Sequence, residues 1–157
     1  MKAYPIPQGG IHIELEDADD WRLLARMLRD ARDDAFDLAA NVGGHIPDEE
    51  IAEDWQDFVM PDLRDQFDGQ LERVTSAIAR AHEAHQGGGG RVLVARDAGA
   101  DWYGVLNRAR LALESRYKLA EERGDGEEGP ARGEHAARLR DRLYCALQSL
   151  LLDHAFD

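Results

Sequence analysis

The stretch that decides the fold is IHIELEDADDWRLLARML, residues 11–28. Its first five residues alternate apolar and polar side chains, which predicts a half-buried strand over residues 11–15. The acidic run that follows offers N-cap oxygens and negative charge to the start of a helix. From Trp21 apolar side chains recur every three or four residues, so we predict an amphipathic helix over residues 18–42, ended by Gly43.

The same order of strand, acidic turn and Trp-led helix recurs in the middle of the chain. The run RVLVA predicts a strand over residues 91–95, and the loop after it leads into a predicted helix over residues 100–121 that begins near Trp102. Because two short strands are not stable alone in water, we expect them to pair and to lie against the helices. The start and the middle of the chain should therefore be neighbours in space.

Three further helices are predicted from apolar periodicity and from helix-breaking residues. One covers residues 48–59, and Pro61 predicts a break or kink after it, because proline removes a helical hydrogen bond. The next covers residues 61–85, before a run of four glycines, and the last covers residues 134–154. We therefore predict a single domain over residues 1–157 of the mainly α (α+β) class, with about five helices packed on one small two-stranded sheet.

The charge balance restricts the class of partner. The chain carries 32 acidic and 19 basic side chains, so that its formal net charge is −13. Nucleic acids and anionic membrane surfaces are bound mainly through Lys and Arg, and we therefore expect neither as a partner. Basic partners are favoured on encounter, although solubility alone is the simpler explanation of the acidity.

Cysteine content and apolar runs bear on the compartment. Cys145 is the only cysteine, which excludes an internal disulfide, and its apolar neighbours favour a small buried hydrophobic residue over a nucleophile. Residues 1–5 do not begin a charged and then apolar signal peptide, and no apolar run approaches the length of a membrane span. We therefore expect a cytoplasmic location.

One polar constellation lies on the predicted helix after the second strand. Asn107, Arg110 and Glu114 share a helix face, where an arginine could hold an anion or a carboxylate with two hydrogen bonds. The competing and commoner explanation is an Arg110–Glu114 pair within the helix, or a tie from this helix to a neighbouring backbone. The candidate binding residues are Trp102, Asn107, Arg110, Glu114 and Arg116.

Other chemistry has little support. His82 and His85 are spaced to share a helix face, but no third ligand follows at a fixed spacing, and zinc needs three or four. The acidic residues from Asp30 to Asp37 are interleaved with arginines, which indicates a solvated face. No nucleophile elbow, phosphate loop or dinucleotide fingerprint is present. We predict no catalytic residue, no metal and no cofactor, which argues against an enzyme without excluding one.

A family resemblance follows from the same helix. The spacing Trp-x4-Asn-x2-Arg-Leu-x-Leu-x2-Arg from Trp102 to Arg116, after a short Val-rich strand, resembles the signature of the domain-of-unknown-function family numbered 2017. The closing helix from Leu143 to Leu151 and the opening from Leu15 to Leu28 are similar to that family too. The resemblance implies an uncharacterised, mostly actinobacterial family that is often encoded beside the Clp protease adaptor. It implies a fold and a gene neighbourhood but no chemistry.

Three functional hypotheses remain from the sequence. The first is a non-catalytic protein-interaction or regulatory protein, with the Clp adaptor or unfoldase as its partner. The second is a small enzyme or anion-binding protein that uses the face of Asn107, Arg110 and Arg116. The third is a homo-oligomeric structural protein, which exposed aromatic side chains among Trp55, Phe58 and Tyr103 would favour.

Overall fold

The structure, a computed structural model, describes residues 1–33, 36–44, 46–86, 88–120 and 133–156. These residues form α-helices named in chain order: α1 Ala18–Ala31, α2 Leu38–Gly43, α3 Glu49–Asp54, α4 Met60–Ala84, α5 Gly99–Tyr117 and α6 Glu134–Ala155. A π-helical turn at Trp55–Val59 joins α3 to α4, and a short 3-10 turn at Arg96–Ala98 precedes α5.

The strands β1 (Lys2–Pro5), β2 (Gly10–Leu15) and β3 (Gly90–Ala95) form one antiparallel sheet in the order β1-β2-β3. The predicted pairing of the two sequence segments is confirmed, since β2 pairs with β3 with His12 opposite Leu93. The start and the middle of the chain are therefore neighbours. The mainly helical class is also confirmed, but the sheet has three strands and the prediction of two was wrong.

The missed strand β1 is the first arm of a hairpin with β2. Its side chains are mostly exposed, so it lacks the alternation that revealed β2, and as an edge strand it tolerates Pro5. The turn is built by glycines: Gly10 has φ of 95°, and a Cβ there would lie 2.3 Å from the carbonyl oxygen of Val94. The run Pro7-Gln8-Gly9-Gly10 was thus the sequence signal for this hairpin.

The main core lies between one face of the sheet and the helices. Ile11 and Ile13 of β2 and Val94 of β3 point into it, together with the Trp21 and Trp102 side chains that begin the two Trp-led helices. Helix α5 packs against α1, α4 and α6, which makes it the central helix. The strand-to-helix corners thus place both tryptophans in one core, as their position after each acidic turn predicts.

The first predicted helix does not run unbroken over residues 18–42. Helix α1 ends at Ala31, and Asp37 starts α2 instead, with its carboxylate accepting a hydrogen bond from the amide of Ala40 at 3.1 Å. Aspartate side chains favour caps over helix interiors, because they bond to nearby backbone amides. Phe36 and Leu38 leave the main core for a small second cluster with Ala112. Residues 34 and 35 of the predicted stripe lie outside the described residues.

We predicted a break or kink near Pro61. The helix does not break there, because the π turn Trp55–Val59 leads directly into α4. The Met60 amide donates to the carbonyl of Trp55, five residues back, so one extra residue is fitted into the turn just before the proline. That wider turn relieves the clash between a proline ring and the carbonyl four residues before it. After Trp55 the next half-buried residue is therefore Met60, and Phe58 between them is exposed to solvent.

The ends and the buried face of the last two helices also differ from the prediction. Helix α5 ends at Tyr117 because Lys118 adopts a left-handed conformation with φ of 49°. Residue 121, where we predicted the end of this helix, lies outside the described residues. On α6 the buried face includes Tyr144 and Leu147, so Leu139 and Cys145 are exposed. The prediction of a buried cysteine was therefore wrong.

The sheet face predicts a sharp contrast between two aliphatic side chains. Replacing Ile13, which is 0% exposed, with alanine should lower the free energy of unfolding by about 2–5 kcal/mol, because a cavity remains. The matched change Leu93→Ala, at a side chain 59% exposed on the opposite face, should alter it by less than about 0.5 kcal/mol. Urea unfolding of both variants measures the difference, and equal losses would contradict this placement of the sheet.

Candidate functional site

Arg110 ties α5 to α6. Its Nε donates to Oδ1 of Asp141 at 2.8 Å, and its Nη1 donates to Oε1 of Gln148, also at 2.8 Å. The hydrogen bond to Asp141 raises the pKa of Arg110 above its usual range. Gln148 is itself buried and donates from its Nε2 to the carbonyl of Tyr103 at 3.4 Å. The guanidinium is thus held by side chains of α6, and not by the neighbouring backbone that we had considered as its partner.

Glu114 and Arg116 use partners in other places. The carboxylate of Glu114 accepts from the amide of Ala120, at 3.1 and 3.2 Å, where the chain turns away from α5. Arg116 pairs with Asp33 at 2.7 Å, and its side chain is half exposed. The expected pair of Arg110 with Glu114 is therefore replaced by two separate contacts.

The structure does not bring the five predicted residues into one pocket. Trp102 is 2% exposed and belongs to the main core, and Asn107 is half-buried one turn before Arg110. The two arginines point to acceptors on different elements, Asp141 on α6 and Asp33 after α1. Each of the two guanidinium groups thus already contacts a carboxylate in the structure.

A buried polar network near this face was missed by sequence reasoning. Asp30, 7% exposed, accepts from Nε of Arg140 at 2.8 Å and from the hydroxyl of Tyr144 at 2.9 Å. Arg26 lies beside it, with its Nε 3.4 Å from Oδ1 of Asp30. We predicted that Asp30 lies on a solvated face, which was wrong. Its position three residues after Met27, on the buried face of α1, was the signal that could have revealed it.

Burial makes the Tyr144 phenol an unusually weak acid. The ring is 1% exposed and its oxygen faces the carboxylate of Asp30. Burial, followed by the charge of Asp30, raises the pKa of the Tyr144 phenol above its usual range. Because the phenol donates a hydrogen bond to the carboxylate and keeps its proton, this network holds Tyr144 in the neutral form. These contacts connect α1 to α6 through the core and describe a structural network.

A groove of about 570 Å³ lies between α4 and the start of α5. Arg73 crosses it and holds Asp101 with two hydrogen bonds, of 2.7 and 2.8 Å. Of the predicted binding residues, Trp102 alone lines this groove. Its lining carries charged side chains of both signs, and the Arg73–Asp101 pair is closed within it.

A different surface feature stands out for its composition. We name residues 48–62, which comprise α3, the π turn and the start of α4, the acidic arm. Every residue of the acidic arm is exposed or half-buried. Three of its apolar side chains are exposed: Phe58 by 71%, Ile51 by 56% and Val59 by 38%. The segment holds seven acidic and no basic residues.

The two histidines of the predicted helix end pack around Trp21. The rings of His82 and Trp21 meet edge to face at 5.0 Å, and Nδ1 of His85 lies 2.7 Å from the carbonyl oxygen of Ala81. In the described part of the chain, no three or more His, Cys, Asp or Glu side chains are grouped so that they could hold a metal ion. No helix among the described residues combines the length and the apolar character needed to cross a membrane.

Comparison with known proteins places this geometry in a family. The model of the family described as Domain of unknown function (DUF2017) matches residues 8–153. That range contains the whole Trp102-to-Arg116 motif from which the resemblance was drawn, and also α6 as far as Asp153. Neither a curated protein nor a solved structure matches the chain.

The two arginines of the motif should differ in their effect on stability. Arg110→Ala should lower the free energy of unfolding by about 1–2 kcal/mol, because it leaves Asp141 and the buried Gln148 without their donor. Arg116→Ala removes a half-exposed ion pair and should cost less than about 1 kcal/mol. Urea unfolding of both variants provides the measurement. Two equally small losses would show that Arg110 is not a structural tie.

The buried phenol predicts a loss of stability in alkali. Above pH of about 10 the unfolded chain releases the Tyr144 proton while the folded chain keeps it, so the free energy of unfolding falls with rising pH. Tyr144→Phe removes this contribution. Between pH 9 and 11 the variant should lose about 1 kcal/mol less than the parent chain, as measured by urea unfolding at each pH. Tyr4→Phe, at an exposed ring, is the control, and parallel curves for the parent chain and Tyr144→Phe would refute the prediction.

Proposed function

The chain belongs to the DUF2017 family, whose model covers nearly all of it, and we propose that it is a non-catalytic protein-interaction or regulatory domain. The observation that carries the proposal is the exposure of Phe58 and Ile51 on the acidic arm. Both side chains are carried on one short acidic segment, and exposed apolar side chains rimmed by polar groups are typical of surfaces that bind other proteins.

The contacts of the polar residues on α5 support a non-catalytic domain. Arg110 is engaged by Asp141 and Gln148, and Asp30 by Arg140 and Tyr144. These contacts join helices across the core and leave no paired nucleophile and base on the α5 face. The alternative of a small enzyme or anion-binding protein at Asn107, Arg110 and Arg116 is therefore not favoured by the contacts observed.

The partner we propose is a component of Clp proteolysis, either the Clp adaptor or the unfoldase. This choice rests on the gene neighbourhood that the family resemblance implies, and it places the protein in the bacterial cytoplasm. The formal charge of −13 disfavours nucleic acid and anionic membranes as partners. Self-association is the remaining alternative, and it is tested by the mass of the free chain in solution.

The proposal is tested with purified components. The chain is immobilised and offered the Clp adaptor, the unfoldase and both together, and binding is followed by biolayer interferometry. We expect reversible binding of at least one of them with a Kd of about 1–50 µM, the range of a transient complex. Absence of binding by all three at about 100 µM would contradict the Clp proposal. Light scattering of the free chain measures self-association in the same samples.

A further inference from the structure

The acidic arm concentrates carboxylates on a short segment that has no basic residue of its own. Several aspartates of other segments pair with an arginine of another element, as Asp37 does with Arg64 and Asp101 with Arg73. On the acidic arm five carboxylates take no ion pair within the described residues: Glu49, Glu50, Glu53, Asp54 and Asp57. Negative charge on this segment is therefore uncompensated by ion pairs in the described part of the chain.

The acidic arm is held in a fixed place although its outer side chains contact little. The ring of Trp55 lies against Gly43 of α2, where a Cβ would come within 2.3 Å of Nε1 of Trp55. The π turn then keeps Phe58 and Val59 outside, because the half-buried position after Trp55 falls on Met60. π-helical turns are energetically poorer than α-helical ones and occur frequently at functional sites. The exposed side chains are thus presented on a preformed helical surface.

The chemistry of this surface selects its occupant. A second copy of the acidic arm would bring like charges face to face, and nucleic acid or an anionic membrane would be repelled in the same way. A protein segment with an apolar face covers Ile51 and Phe58, and Lys or Arg beside that face meets the free carboxylates. Aromatic anchors supply most of the energy of such contacts, and exposed ion pairs mainly raise the association rate and the specificity.

We propose that the acidic arm docks a basic, amphipathic helical segment of a partner protein. Phe58 and Ile51 are its apolar anchors, and the carboxylates of Glu53, Asp54 and Asp57 contact Lys or Arg side chains of the partner. This inference rests on the proposed function and specifies its surface and the chemistry of its partner. It does not depend on the Clp system being that partner.

The test uses the full chain and a synthetic helical peptide that carries Leu and Trp on one face and Lys and Arg on the other. Fluorescence anisotropy should give a Kd of about 1–50 µM at low salt, weakening as the ionic strength rises. A peptide of the same composition with its apolar residues dispersed around the helix should bind at least about tenfold more weakly. Equal binding of both peptides, or no binding of the first, overturns the inference.

Matched variants locate the binding surface. Phe58→Ser with Ile51→Ser should weaken binding of the amphipathic peptide at least about tenfold, whereas Leu152→Ser, at a side chain 50% exposed on α6, should leave it unchanged.

Charge reversal tests the carboxylates: Asp54→Lys with Asp57→Lys should weaken binding of the amphipathic peptide by a similar factor. Glu83→Lys with Asp153→Lys, at exposed residues, gives the same net charge and should change binding less than about twofold. Thermal unfolding of each variant verifies that the fold is kept.

The outcomes separate this inference from the Clp proposal. Binding of the peptide through the acidic arm without binding of the adaptor or the unfoldase supports the inference and contradicts the Clp partner. If the adaptor or unfoldase binds the parent chain and the acidic-arm variants equally, the proposed function stands and the inference is overturned. Equal weakening by the two charge-reversal pairs also overturns it, because net charge alone would then explain the affinity.

Discussion

The buried carboxylate of Asp30 is the constraint on which the helix packing depends. A charge taken out of water must be paired and hydrogen-bonded, and Asp30 obtains both from Arg140 and Tyr144 of α6. This fixes the last helix of the chain against the first one. Helix α5 lies with them in the same core and is tied to α6 in turn by Arg110 and Asp141. Arg140 and Arg110 thus hold neighbouring helices together through their ion pairs with Asp30 and Asp141.

The same distribution of charge separates structure from function. Where arginines meet aspartates between helices, the charges are neutralised in place, and the motif that first suggested a binding site becomes part of the framework. The acidic arm receives no such compensation, and its side chains Ile51 and Phe58 remain outside the core. A surface that is both uncompensated and apolar is more stable when covered by a partner that is basic and apolar. We therefore propose that the structural framework and the protein-binding surface lie in different parts of this acidic protein.

Local periodicity predicted the strands β2 and β3 and their pairing, because the alternation of apolar and polar side chains is encoded within a few residues. It could not predict which partner each charge takes, since Arg110 selects Asp141 on another helix rather than Glu114 one turn away. Asp30 looked solvated among its acidic neighbours although its spacing from the buried side of α1 pointed inward. The π turn was out of reach for another reason: proline indicates a disturbance, but the surrounding packing decides whether a helix breaks or widens.

Amide hydrogen exchange tests the central claim that binding belongs to the acidic arm and not to the α5 motif. The full chain is compared alone and with the basic amphipathic peptide at saturating concentration, and protection is mapped along the sequence. The account predicts slower exchange over α3 and the π turn, with no change around Asn107 and Arg110. Protection confined to α5 and α6, with the acidic arm unaffected, would contradict it.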